Sequence, residues 1–124
     1  MENTGTAQRN KELVLHGFAR FAAGDIEILR TLLHEDFLEH SPGNPSGRDA
    51  FIAYIANAPV AGAKLDLKRV VAEDDLVVMH YRMTTATEEV AVVDIWRLAD
   101  GLIVEHWDVV QPVPAPFETP NGMF

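Results

Sequence analysis

The sequence contains no cysteine. That excludes a disulfide framework, a thiol nucleophile and a thiolate metal site, and it suits a reducing compartment such as the cytoplasm. A basic surplus is missing as well: 19 Asp and Glu stand against 10 Lys and Arg, for a net charge of −9. So acidic a chain is repelled by nucleic acid and by anionic membrane surfaces, and neither is expected as a partner. No apolar run approaches the roughly 20 residues that a membrane span needs. The segment from Met1 to Asn10 is polar and offers no signal-peptide core. There is no internal repeat and no low-complexity tract. What is present is 124 residues, 48% of them hydrophobic, enough for one domain over residues 1–124 with a core that needs no metal or disulfide staple.

The first half reads as helices. From Ala7 to Ala23, residues Leu13, Val14, Gly17, Phe18, Phe21 and Ala22 recur at spacings of three and four, which places them on one helical face. Gly24 stops that helix, and Asp25 caps a second one with Ile26, Leu29, Leu32 and Leu33 inward. Asp36 to His40 leads into a loop, Ser41-Pro42-Gly43-Asn44-Pro45, dense in turn formers. Ser46-Gly47-Arg48-Asp49 has the form of a capping box for a third helix bearing Phe51, Ile52, Tyr54 and Ile55, which ends near Pro59.

The second half reads as strands: Leu65 to Glu73, Leu76 to Thr85, Val90 to Leu98 and Leu102 to Gln111, the last two a hairpin around Ala99-Asp100-Gly101. Pro112-Val113-Pro114-Ala115-Pro116 cannot continue a sheet ladder, and Phe117 to Phe124 is expected to pack on a neighbour or fray. Three helices followed by long antiparallel strands imply an α+β fold with helices on one sheet face. The other face of the last hairpin is also apolar, and a homodimer through this outer sheet face is the simplest cover for it.

The hairpin register decides which side chains share a face. A two-residue turn at Asp100-Gly101 sets Asp94 opposite Trp107; a three-residue loop with Gly101 left-handed sets it opposite His106. The second is preferred. It gathers Val90, Val92, Asp94, Trp96 and Leu98 with Leu102, Val104, His106, Asp108 and Val110, an apolar surface interrupted by three ionisable groups. Ala91, Val93, Ile95, Ile103, Trp107 and Val109 fall on the other face, with Trp107 as an interface anchor. Low dielectric raises a carboxylate's pKa and lowers a histidine's, so Asp108, His106 and Asp94 become candidates for acid–base work. His40 stands at the mouth of the expected pocket, beside Phe37; Tyr54, Trp96 and Val110 read as its wall. His80 lies mid-strand, on a face the pattern leaves open, and is included with His40, Phe37, Tyr54, Trp96 and Val110 as a candidate substrate contact. His40, His80, Asp94 and His106 could in principle converge on a metal, but no HExxH-like spacing supports this; neither metal nor cofactor is expected.

Phe37-Leu38-Glu39-His40-Ser41-Pro42, Val92-Val93-Asp94-Ile95-Trp96-Arg97 and Gly101-Leu102-Ile103-Val104-Glu105-His106-Trp107-Asp108-Val109-Val110-Gln111-Pro112 resemble the SnoaL-like polyketide cyclase family. The resemblance implies the cone-shaped fold shared with nuclear transport factor 2 and ketosteroid isomerase. It implies that Asp108 corresponds to the last-strand aspartate that serves as acid and base in an aldol closure. Limonene epoxide hydrolase is similar there, but its Arg-x-Asp partner strand is not reproduced. Val93-Asp94-Ile95 resembles the setting of the ketosteroid isomerase aspartate that, when protonated, hydrogen-bonds an enolate oxygen. Where that enzyme has its base this chain has His40, and where it has a first-helix tyrosine this chain offers Phe18 and Phe21. The reading is a cofactor-free isomerase or aldol-type cyclase for a small hydrophobic carbonyl compound. The alternative is a dimeric module that binds a small hydrophobic molecule without catalysis.

Overall fold

A computed structural model describes residues 2–124, with side chains from Gly5 onward. Helix α1 (Glu2–Ala22) begins N-terminal to the Ala7 at which the apolar pattern starts. Val14 and Gly17 are buried on its inner face, whereas Ala22 is exposed at its end rather than inward. Gly24, at φ 100°, ends the helix. The Asp25 side chain makes no cap; it accepts a hydrogen bond from Arg20 Nη2 at 2.7 Å instead. The chain then takes a 3₁₀ turn, Ile26–Ile28, and a single α-turn, α2 (Leu29–Leu32). A Cβ at position 17 would lie 2.2 Å from Leu32 Cδ1, so any larger residue there would make the Leu32 side chain move.

The stretch expected to lead into a loop is a strand, β1 (Leu33–Glu39). Leu33 and Phe37, its buried residues, are four apart, as on a helix, and Glu35, Asp36 and Glu39 are poor strand formers. A bulge between Leu33 and Leu38 breaks the two-residue alternation, so local pattern could not announce the strand. Helix α3 (Arg48–Ile55) starts from Gly47 at φ 88° without a side-chain cap. The expected capping box is not formed: Ser46 Oγ accepts the Glu39 N–H at 3.0 Å, binding the loop to β1.

The four expected strands follow as β2 (Lys64–Glu73), β3 (Leu76–Thr84), β4 (Glu89–Ala99) and β5 (Leu102–Pro112). They lie in the order β1-β5-β4-β3-β2. The sheet is mixed rather than wholly antiparallel, because β1 joins β5 in parallel. Helix α1 packs on β2 and β3, and α3 on β1, so one sheet face carries the helices.

The hairpin combines features of both expected registers. Asp100 (φ 51°) and Gly101 (φ 80°) are both left-handed, a two-residue turn closed by Ala99 opposite Leu102. A bulge past Arg97 then shifts the count, so Asp94 lies opposite Asp108 and Trp96 opposite His106. Neither Trp107 nor His106 is the partner of Asp94, but the shift keeps Asp94, Trp96, His106 and Asp108 on the inner face. Ile103 is corrected by the same bulge: it is buried in the core beside Leu98 and not on the outer face.

Beyond Pro112 the chain folds back onto its own sheet. The Phe124 ring stacks on His80 at 5.5 Å, with the Arg82 guanidinium 4.5 Å from its centroid. The core centres on Leu33, Phe37, Val77 and Met79, with the Phe37 and Phe51 rings edge to face at 4.9 Å. Phe37 is fully buried, so Phe37→Ala is expected to destabilise the fold by about 3–5 kcal/mol. Urea denaturation checks this; a loss under about 1 kcal/mol would mean that Phe37 is not the core residue described.

Candidate functional site

Between the helices and the inner sheet face lies a cavity of about 300 Å³. Its wall is apolar, formed by side chains such as Val14, Phe18, Phe51, Ile55 and Met79, and its polar end carries Tyr81, Asp94, His106 and Asp108. Alternation along β3, β4 and β5 puts these four side chains on one face. Tyr54 and Val110 also line the cavity, 45% and 50% exposed, and so stand at its open end. Trp96 lines it from β4, its ring stacked on His106 at 3.9 Å and 22°.

Three expected pocket residues lie elsewhere. Phe37 belongs to the core behind the cavity. His40 turns to the outer face, where Nε2 meets Glu105 Oε2 at 2.7 Å and the ring stacks on Trp107 at 5.0 Å. His80 is also outside: its neighbours Met79 and Tyr81 are the buried, inward residues of β3, and its Nδ1 meets the Arg69 guanidinium. For both histidines a shift of one position along the chain decides the face, and β1 was not read as a strand.

His106 sits between two carboxylates. Nε2 donates to Asp94 Oδ1 at 2.8 Å and Nδ1 donates to Glu39 Oε1 at 2.7 Å, an arrangement that needs both ring protons. Burial alone would lower the histidine pKa; the hydrogen bonds to Asp94 and Glu39 and their charges outweigh it and raise the value to about 9. The expected downward shift is therefore reversed, because an imidazolium flanked by two acceptors is stabilised more by them than it is penalised by desolvation. Burial works to raise the Glu39 pKa, but the hydrogen bond and charge of His106, with the Ser41 N–H and Asn44, hold it below the usual carboxylate value. The Glu39 side chain is wholly enclosed.

Asp108 is different. Burial raises its pKa, the Ser41 hydroxyl and the His106 charge oppose this, and the charges of Asp94 and Glu39 add to the rise. Tyr81 is pushed well above its ordinary value by burial and then by the charge and hydrogen bonding of Asp94, so its hydroxyl stays a neutral donor. The polar end thus offers a carboxyl with a raised pKa, a fixed imidazolium and a phenol. Single donor atoms of Asp94, His106 and Asp108 lie within 4.8 Å of one another. As a metal site the set is poor, because both His106 nitrogens are already engaged as donors.

Glu39 and Tyr81 escaped the sequence reading. Glu39 would have emerged had Leu33–Glu39 been read as a strand beside β5, since it pairs with His106 in register. Tyr81 takes part from β3, where no aromatic hydroxyl was expected from the first helix.

Residues 14–106 match the SnoaL-like domain family. The chain belongs to that family. No curated protein matches the sequence. Among solved structures, this SnoaL-like domain is similar to an NTF2-like protein of unknown function from Burkholderia xenovorans LB400, at 20% identity and a TM-score of 0.79, covering 94% of this chain and 95% of that one. It is similar to a Kribbella flavida DSM 17836 protein provisionally described as a ketosteroid isomerase, at 19% identity and a TM-score of 0.77, covering 91% and 88%. It is similar to a Jannaschia sp. CCS1 protein provisionally described as a SnoaL-like polyketide cyclase, at 22% identity and a TM-score of 0.73, covering 85% and 87%. These likenesses establish the NTF2-like α+β fold. No described helix is long and apolar enough to cross a membrane.

The SnoaL-like domain's buried imidazolium makes stability depend on pH. The His106 pKa is raised from 6.5 to about 9, so its stabilisation is complete below 6.5 and is lost as pH rises through 9. The expected loss across that window is on the order of 3 kcal/mol. Urea unfolding at graded pH, with an NMR titration of the His106 ring, measures both. A ring midpoint near 6.5 would refute the clamped imidazolium.

Proposed function

We propose that this SnoaL-like domain is a cofactor-free acid–base enzyme, an isomerase or aldol-type cyclase acting on a small hydrophobic carbonyl compound. The observation that carries this reading is Asp108, a partly buried carboxyl with a raised pKa at the polar end of an apolar cavity. A base works best when its pKa approaches the operating pH.

In the proposed reaction, the Asp108 carboxylate takes a proton from the carbon next to the substrate carbonyl. The electron pair of that C–H bond moves into the carbonyl and forms an enolate. The Tyr81 O–H, directed at Asp94 in the free protein, turns to the enolate oxygen, and the His106 imidazolium stabilises it through charge, since its two N–H groups stay committed to Asp94 and Glu39. Asp94 and Glu39 keep the imidazole charged and oriented; they are positioning residues. Where a double bond conjugates with the enolate, the neutral Asp108 then returns its proton to the far carbon of that double bond, which completes an isomerisation. In a cyclisation the enolate carbon instead attacks a second carbonyl of the same molecule, and Asp108 protonates the new alkoxide. Trp96 and Tyr54 would bound the substrate.

Exchange of α-hydrogen for deuterium in small cyclic ketones, followed by NMR in D₂O, tests the first step without knowledge of the natural substrate. The Asp108→Asn protein is expected to exchange roughly a hundred- to ten-thousand-fold more slowly than wild type, with an unchanged fold. Equal rates would remove Asp108 from the mechanism. The apolar wall equally suits a non-catalytic carrier; ketones that stabilise the protein yet show no exchange above buffer would favour that second reading.

We also propose that a second copy covers the outer sheet face. Val71 and Val109 are 62% and 66% exposed there, next to the half-buried Ile95 and Trp107, while the C-terminal segment occupies the region of His80 and Arg82. Sedimentation equilibrium is expected to show a dimer that Val109→Lys weakens; a monomer at high protein concentration would exclude this.

A further inference from the structure

The charges around the cavity are unequal. Its ionisable lining carries the carboxyls of Glu88, Asp94 and Asp108 and the imidazole of His106, and among the described residues no lysine or arginine lines it. The positive charge of His106 is already matched on both sides, by Asp94 and by Glu39 behind it. Arg97, which neighbours Trp96 in sequence, points to the outer face and is held by Glu105 at 2.9 Å. A ligand inside therefore meets surplus negative charge, from the exposed Glu88 to the partly buried Asp108, and the cation nearest Asp108, His106, is already bonded to Asp94 and Glu39. The rest of the wall includes the aromatic rings of Phe18, Phe21, Tyr54 and Trp96, surfaces that favour a cation over an anion.

We infer that the cavity sorts ligands by charge: it takes an apolar molecule bearing a protonated amine, with the ammonium at Asp108, and rejects the isosteric carboxylate. This deepens, and rests on, the reading of the cavity as the substrate site. The site is the apolar cavity itself; the carboxylates set its sign. An ammonium beside Asp108 holds that carboxyl ionised and occupies it, so an amine of this kind blocks proton transfer instead of undergoing it. The substrate itself is uncharged. A precursor with a free carboxylate or a phosphate ester must first have that charge removed or masked, so the reaction that supplies the substrate is an esterification, a decarboxylation or the hydrolysis of a phosphate ester to its neutral alcohol.

The test uses three probes of one shape: 2-naphthylmethylamine, 2-naphthylmethanol and 2-naphthoic acid, titrated calorimetrically into the wild-type protein at neutral pH. The amine is expected to bind roughly tenfold or more tightly than the alcohol, and the acid at least as much more weakly than the alcohol. Asp108→Asn is expected to erase the amine's advantage while the alcohol's affinity holds. The amine is also expected to inhibit deuterium exchange into a cyclic ketone competitively. An acid that binds as well as the alcohol or better, or an amine with no advantage over it, overturns charge selection and leaves the cavity reading standing. Failure of all three probes to bind, together with no exchange into any ketone, overturns the cavity reading itself.

Discussion

A protonated histidine buried between two carboxylates holds this structure and its site together. Each charge loses several kcal/mol of hydration on burial, and only short, well-directed hydrogen bonds offset that. His106 supplies them at 2.8 Å to Asp94 and 2.7 Å to Glu39. The three residues come from β4, β5 and β1, so one ring joins three neighbouring strands. Removing His106 would leave two uncompensated carboxylates in the interior, and removing either carboxylate would leave one imidazolium N–H without its acceptor. The same arrangement helps to hold β1, poor in strand-forming residues, in the sheet, together with the burial of its Leu33 and Phe37.

Alternation builds a second cluster on the reverse of the same strands. Glu39 and His106 face inward, while their neighbours His40 and Glu105 face outward, where Glu105 also receives Arg97. The His40 N–H further donates to the His106 carbonyl at 3.0 Å. The outer set is partly exposed, with His40 at 45%, and pairs of that kind contribute little to stability. Its effect is geometric: it holds the end of β1 against β5, which keeps the Glu39 carboxylate on His106. The inner face is where the proposed chemistry sits, because Asp94 and His106 are buried there and charges interact more strongly than at the surface.

Much of the fold was legible in the residues. The helical spacing of Val14, Gly17 and Phe18, the turn at Asp100-Gly101 and the run of apolar strands each state a local preference that tertiary packing agrees with. The inner set Asp94, Trp96, His106 and Asp108 was expected from a three-residue loop; the turn has two residues, and the bulge past Arg97 is what puts that row inward. β1 was not legible, because its pairing partner lies over sixty residues away, as in Glu39 opposite His106, and its own residues favour no strand. His40, His80 and Phe37 went astray for want of a face: a histidine in a mixed apolar stretch carries no mark of which way it points. The upward shift of His106 was not legible either, because it needs Glu39 of β1 beside Asp94 to outweigh burial.

The sequence by itself determined the α+β class, four of the five strands and the acidic character of the chain, because local spacing and composition specify these. Only the tertiary structure decided that Glu39 and Tyr81 join the polar end, that His40 and His80 leave it, and that His106 is charged. Those outcomes depend on which distant backbone segments lie side by side, and the free energy of a buried charge is set by neighbours that one stretch of chain cannot name.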